Sequence, residues 1–198
     1  MNLLKKSFQP FAAIAFLLLP GVALAHPSHH ETATFATGMM HPLLGLDHLL
    51  AAAAVGLVAA RLGKAWRWAL PGIFVGAMFA TITVARWAQP MENAEWLVAL
   101  SLVTLGVWYV AGLRMPMAVA AIVAGFGMAH GYVHASELPG TGGWLPYALG
   151  LILTTAIAHA LGVKAGIAVN LRVQMAVRIF AALIAAFGAV LLGLGFSS

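Results

Sequence analysis

Six apolar stretches, each long enough to cross a lipid bilayer as a helix, take up most of this chain. They lie near residues 36–60, 68–88, 95–112, 116–137, 144–163 and 174–196. A helix needs about 18 to 20 apolar residues to cross the roughly 30 Å of hydrocarbon in a bilayer. Only 8% of the 198 residues are charged, whereas about a quarter are charged in a typical soluble domain. The sequence therefore predicts an all-α, polytopic integral membrane protein with six transmembrane helices.

The start of the chain has the organisation of a cleavable secretory signal. Lys5 and Lys6 precede an apolar run, and Ala23-Leu24-Ala25 supplies a cleavage site of small residues. We therefore expect a signal peptide over 1–25 and a six-helix transmembrane domain over 26–198. A signal that stays attached would add a seventh helix and leave the arrangement of the other six unchanged.

Lysine and arginine are distributed unevenly among the loops that join the predicted helices. After the signal, seven of the eight basic residues fall on one side: Arg61, Lys64, Arg67, Arg114, Lys164, Arg172 and Arg178. Loops rich in these residues stay in the cytoplasm. We therefore expect a multi-pass protein of the bacterial inner membrane with both mature termini in the periplasm. The charges lie in short loops and there is no phosphate-binding glycine loop, so neither nucleic acid nor nucleotide is expected as a partner.

Six ionisable side chains interrupt two of the apolar stretches. They are His41, Asp47 and His48 in the first stretch and His130, His134 and Glu137 in the fourth. A charged side chain at the centre of a bilayer costs about 2.5–3.5 kcal/mol on insertion scales, so ionisable residues within a membrane indicate a functional site. With the orientation above, the two clusters occupy the same depth range. They are therefore candidates for one shared site.

The fourth stretch spaces its polar residues for a common face. His130 and His134 are four residues apart, which stacks two imidazoles on one side of a helix, and Glu137 continues the same stripe. This arrangement is typical of metal ligands.

The first stretch needs a break to bring its polar residues together. His41 and His48 share a helix face, but Asp47 lies about 100° away on an ideal helix. Pro42 and Gly45 lie between them, and both residue types favour a kink or a break. A broken helix would turn Asp47 toward the same ion as His48.

The types of ligand limit the chemistry of the site. The chain contains no cysteine, so a metal would be held by nitrogen, oxygen or thioether groups, and imidazole with carboxylate suits Ni²⁺, Co²⁺ or Zn²⁺. Met39, Met40 and Met128 lie nearby, and we interpret them as packing residues. Binding should weaken in acid, because the ligands must be deprotonated.

Four further histidines belong to the candidate path of an ion. His26, His29 and His30 would stand at the start of the mature chain, where they could collect a metal loosely. His159 lies near the inner end of the fifth stretch. It is either a metal ligand there or a hydrogen-bond partner between helices.

A short echo relates the two halves of the chain. Gly38-Met39-Met40-His41-Pro42 in the first stretch resembles Gly127-Met128-Ala129-His130-Gly131 in the fourth. Three helices followed by three of opposite orientation would form a 3+3 inverted repeat, in which transporters place a site at the interface of the halves.

The two polar motifs resemble those of the HupE/UreJ family, membrane proteins associated with nickel supply to hydrogenase and urease. The first motif, His41-Pro42-Leu43-Leu44-Gly45-Leu46-Asp47-His48, matches that family in full. The second, His130-Gly131-Tyr132-Val133-His134-Ala135-Ser136-Glu137, departs where Ala135 replaces a glycine and where Ala129 replaces a preceding aromatic residue. These departures affect packing rather than the ligands.

The resemblance implies a transporter rather than an enzyme. It would be a secondary permease that moves nickel, or else cobalt, from periplasm to cytoplasm without ATP. The ion would pass from the outer His41, His134 and Glu137 to the deeper Asp47, His48 and His130. Two alternatives remain open at this point: an intramembrane zinc-dependent hydrolase with Glu137 as base, and a haem protein with two histidine ligands.

Overall fold

The computed structural model describes residues 32–87, 94–167 and 171–195. Within these ranges it contains two strands of two residues and seven helices. The strands are β1 (Thr32–Ala33) and β2 (Thr141–Gly142), and the helices are α1 (Phe35–Leu44), α2 (Leu46–Leu62), α3 (Trp66–Ala85), α4 (Glu95–Ala111), α5 (Pro116–Ser136), α6 (Trp144–Gly166) and α7 (Leu171–Gly195). The predicted signal peptide 1–25 and the histidines His26, His29 and His30 lie outside the described residues.

The helices confirm an all-α membrane protein. Among the described residues, α3, α5, α6 and α7 are long and apolar enough to cross a bilayer, and α1 with α2 makes a fifth span if the pair counts as one. Helix α4 is also apolar but has 17 residues. The helix boundaries lie within a few residues of the predicted apolar stretches.

The first predicted span, residues 36–60, is not one continuous helix. It is divided at Gly45 into α1 and α2, whose axes differ by 85°. The Thr34 hydroxyl accepts a bond from the Thr37 amide at 3.1 Å and so caps α1, and Pro42 lies inside α1. Gly45 then adopts an extended conformation, with φ −91° and ψ 91°, and serves as the last cap of α1 and the first cap of α2. The break expected from Pro42 and Gly45 is confirmed.

Glycines allow the helices around this break to pack backbone to backbone. Gly56 of α2 meets the backbone of α6 at Gly162, and Gly131 of α5 meets the backbone of α3 at Met78. In lipid, helices associate by such close approach, because no hydrophobic effect drives them together. Helix α2 is buried along nearly its whole length. It therefore forms the centre of the bundle and carries the site on its first turn.

A parallel pair of strands fixes the start of α1 against the loop between α5 and α6. Thr32 pairs with Thr141 and Ala33 with Gly142, and the Gly143 amide donates a bond to the Ala33 carbonyl at 3.0 Å. The sequence analysis did not predict these strands. Their effect is to hold α1 beside the end of α5, where Glu137 lies.

Candidate metal site

The broken first span and the end of α5 bring three predicted ligands together. His41 Nε2 lies 3.1 Å from Glu137 Oε2, and His134 Nδ1 lies 3.6 Å from the same oxygen. One ligand atom from each residue lies within 4.8 Å of the other two. Ligand atoms bound about 2.1 Å from one ion are at most roughly 4.2 Å apart. These three residues, called the outer group below, could therefore hold an ion after a shift of less than about 1 Å.

A second set of polar residues, Asp47, His48 and His130, lies directly beside the outer group and is called the inner group. The His48 ring lies between the two histidines of α5, with its centroid 4.6 Å from that of His134 and 5.1 Å from that of His130. The centroids of His130 and His134 are 6.5 Å apart. His130 and His134 share the predicted face of α5, but the His48 ring from α2 lies between them.

Asp47 is bonded to the neighbouring imidazole. Its Oδ1 accepts a bond from the His48 amide at 2.9 Å and one from His48 Nδ1 at 3.0 Å. A carboxylate can only accept, so Nδ1 carries the proton, and in the neutral ring Nε2 then has the lone pair. A carboxylate in this position typically orients a histidine toward a metal and makes it more basic.

The rings of His130 and His159 are each held by a hydrogen bond to a backbone carbonyl of their own helix. His130 Nδ1 lies 2.8 Å from the Phe126 carbonyl, and His159 Nδ1 lies 2.8 Å from the Thr155 carbonyl. Each Nδ1 must donate, so in the neutral ring Nε2 is the unprotonated nitrogen. Neither Nε2 has a hydrogen-bond partner among the described residues, and the same is true of His48 Nε2.

These nitrogens are deeply buried, since His130 is 2% and His159 1% exposed. Buried polar atoms in native proteins are nearly always bonded. An acceptor nitrogen left in this state is suited to a cation.

Not all sequence candidates join the two groups. His159 belongs to neither group, and an aromatic ring without a distinguishing sequence signal, Phe74, contacts both His159 and His130. The Phe74 ring centroid is 5.0 Å from that of His130 and 5.1 Å from that of His159. A phenylalanine in an apolar helix carries no distinguishing signal. Met40 and Met128 are 50% and 55% exposed, which argues against a role as buried thioether ligands.

The fold and the site together define a class of protein. It is a helical integral membrane protein with a buried cluster of imidazoles and carboxylates inside an apolar bundle.

Comparison with known proteins gives the family. The model of the family described as HupE / UreJ protein matches residues 14–191. Protein HupE of Rhizobium leguminosarum bv. viciae is 37% identical over 181 residues, which cover 90% of this chain and 94% of that protein. The chain belongs to the HupE/UreJ family, so the resemblance noted from the motifs is confirmed. No solved structure matches it.

The family membership bears on the type of activity. HupE/UreJ proteins are transporters or accessory membrane proteins and not enzymes, and the family is linked to transport of nickel and cobalt. This supports a metal permease role and does not favour the hydrolase and haem alternatives.

Proposed function

We propose that the chain is a secondary permease that moves Ni²⁺ from the periplasm into the bacterial cytoplasm, with Co²⁺ as the second candidate ion. The nickel would supply metalloenzymes such as hydrogenase or urease. The observation that carries the proposal is the outer group, in which His41 meets His134 and Glu137 from a distant part of the chain. Two imidazoles and a carboxylate suit nickel and cobalt.

The ion passes in this account from the outer group to the inner group. His134 belongs to the outer group and His48 to the inner group, and their ring centroids are 4.6 Å apart. His48 can therefore bind the ion before His134 releases it. Neutral nitrogens replace the water of the ion, while the Glu137 carboxylate offsets part of its charge and the Asp47 carboxylate holds the His48 ring in place.

A six-span topology places this path across the inner membrane. We count α1 with α2 as the first span and α4 as the third, with the basic loops in the cytoplasm. Residues 1–25 are a signal peptide in this arrangement, and 26–198 form the transporter domain. His26, His29 and His30 at the mature start collect metal in the periplasm.

Packing between α4 and α7 supports the 3+3 inverted repeat. Gly106 of α4 lies against Ala181 and Ala185 of α7, and Gly188 of α7 lies against Ala99 and Leu102 of α4. Each helix thus offers one glycine to the other. Such a reciprocal contact is expected where the third spans of two inverted halves meet.

Accumulation of radioactive nickel in cells tests this function. Cells that express the chain should accumulate nickel above cells that lack it, and His134→Ala and His48→Ala should each return accumulation to background. Met128→Leu is the matched control, because Met128 lies on the same helix as His134 and its side chain is more than half exposed. Normal accumulation by both histidine variants, at equal protein amounts in the membrane, would contradict the proposal.

A further inference from the structure

Two histidines on different helices contact the same aromatic ring, and each is held by the same type of hydrogen bond. His130 of α5 and His159 of α6 each donate Nδ1–H to the carbonyl four residues earlier, at the same distance of 2.8 Å. Each ring meets Phe74 in an edge arrangement, at 5.0 Å and 5.1 Å between centroids. Phe74 itself is 1% exposed. The two imidazoles thus contact one and the same buried phenyl ring.

The two histidines lie at different distances from the ends of their helices. His130 is six residues before the end of α5 at Ser136, or about 9 Å along the helix. His159 is fifteen residues after the start of α6 at Trp144, or about 22 Å along it. Both of these helix ends border the short loop that contains β2. Along its helix His159 therefore lies farther from this loop than His130 does, while both rings still reach Phe74.

The surroundings of His159 suit brief occupation by a cation. Its Nε2 is buried and has no partner among the described residues. His159 does not belong to the outer group of His41, His134 and Glu137. A single imidazole can replace one water of an ion without holding the ion tightly. Conduction needs sites of this kind, because an ion must be able to leave each one.

We infer that His159 is a separate inner transit site for the metal cation, which the ion reaches from His130 past the ring of Phe74. The inference rests on the proposed function and extends it by one step. The outer and inner groups select and load the ion, the apolar ring separates them from the cytoplasmic side, and His159 receives the ion beyond that ring.

Replacing His159 should slow transport and leave loading intact. We expect His159→Leu to lower the maximal rate of nickel uptake into vesicles by about ten-fold, within the range seen when supporting groups of metal sites are removed. The nickel concentration that gives half-maximal uptake should change little, because the outer and inner groups are untouched. Nickel binding to the purified variant should likewise match the wild type.

Two further variants separate transit from packing. His159→Gln keeps a polar side chain of similar reach and should lose transport as His159→Leu does, so it decides the question if leucine prevents insertion. Thr155→Val is the matched control one turn away, since the Thr155 hydroxyl bonds to the Leu151 carbonyl of its own helix. It should transport at the wild-type rate.

The outcomes distinguish this inference from the proposed function. Uptake within two-fold of the wild type in a correctly inserted His159 variant overturns the transit site alone. Equal slowing by Thr155→Val also overturns it, because a general packing defect then explains the loss. Absence of nickel uptake by the wild-type chain contradicts the proposed function instead.

Discussion

Replacement of Asp47 by asparagine and by alanine should have very different effects on nickel binding. Asp47 Oδ1 accepts two bonds from His48, at 2.9 Å from its amide and 3.0 Å from Nδ1. Asparagine keeps an oxygen that can accept both bonds and removes only the charge. Alanine removes both bonds, so His48 loses its fixed orientation and its fixed tautomer.

The magnitudes follow from the bond to Nδ1, because that bond alone orients the imidazole. A hydrogen bond to a charged group contributes about 1.5–3 kcal/mol and a neutral one about 0.5–1.5 kcal/mol. The asparagine variant should therefore lose about 1 kcal/mol of binding free energy, or about five-fold in affinity. The alanine variant should lose about 2–3 kcal/mol, or roughly 30- to 150-fold.

Calorimetric titration of detergent-purified protein with Ni²⁺ measures both values, and a thermal melt of each variant shows whether it stays folded. A folded asparagine variant that binds nickel as weakly as the alanine variant would contradict this expectation. The charge of Asp47 would then matter by itself, and its bonds to His48 would not.

Three other perturbations test the surroundings of the site. A methyl group at Gly45 would lie 3.3 Å from His48 Nδ1, so Gly45→Ala should weaken nickel binding several-fold in the same titration with the melting temperature unchanged. In Gly131→Ala the methyl group would meet the Met78 backbone, and such overpacking costs about 1–3 kcal/mol, so the melting temperature should fall by about 2–4 °C per kcal/mol. Gly125→Ala is its control, because nothing lies within 4 Å of the added group. Nickel binding should also weaken steadily between pH 7.5 and 5.5, because protons compete for the imidazole lone pairs; a flat profile would contradict histidine ligation.

Much of the fold could be predicted from local patterns in the sequence. The apolar stretch near 116–137 became α5 over Pro116–Ser136, since length and hydropathy largely decide where a helix can cross a membrane. The break at Gly45 was expected from the chemistry of Pro42 and Gly45. The angle of 85° between the two halves could not be predicted, because it depends on which helices pack on either side.

The residues of the candidate site could be predicted from the sequence, whereas the contacts between their side chains could not. Intramembrane histidines and carboxylates stand out because of their energetic cost, and the shared depth of the two clusters indicated that they meet. The position of His48 between His130 and His134 depends on how α2 crosses α5. The bonds from His48 to Asp47 depend on the local turn after Gly45. Neither of these leaves a periodic pattern in the sequence.

Nickel flux into liposomes that contain only this purified chain measures whether the chain by itself moves the ion. The account predicts saturable uptake by the wild type and uptake at the level of protein-free liposomes by Glu137→Gln, which keeps the shape of the side chain and removes its charge beside His41 and His134. No uptake by the wild type above protein-free liposomes, or equal uptake by the two proteins, would contradict it.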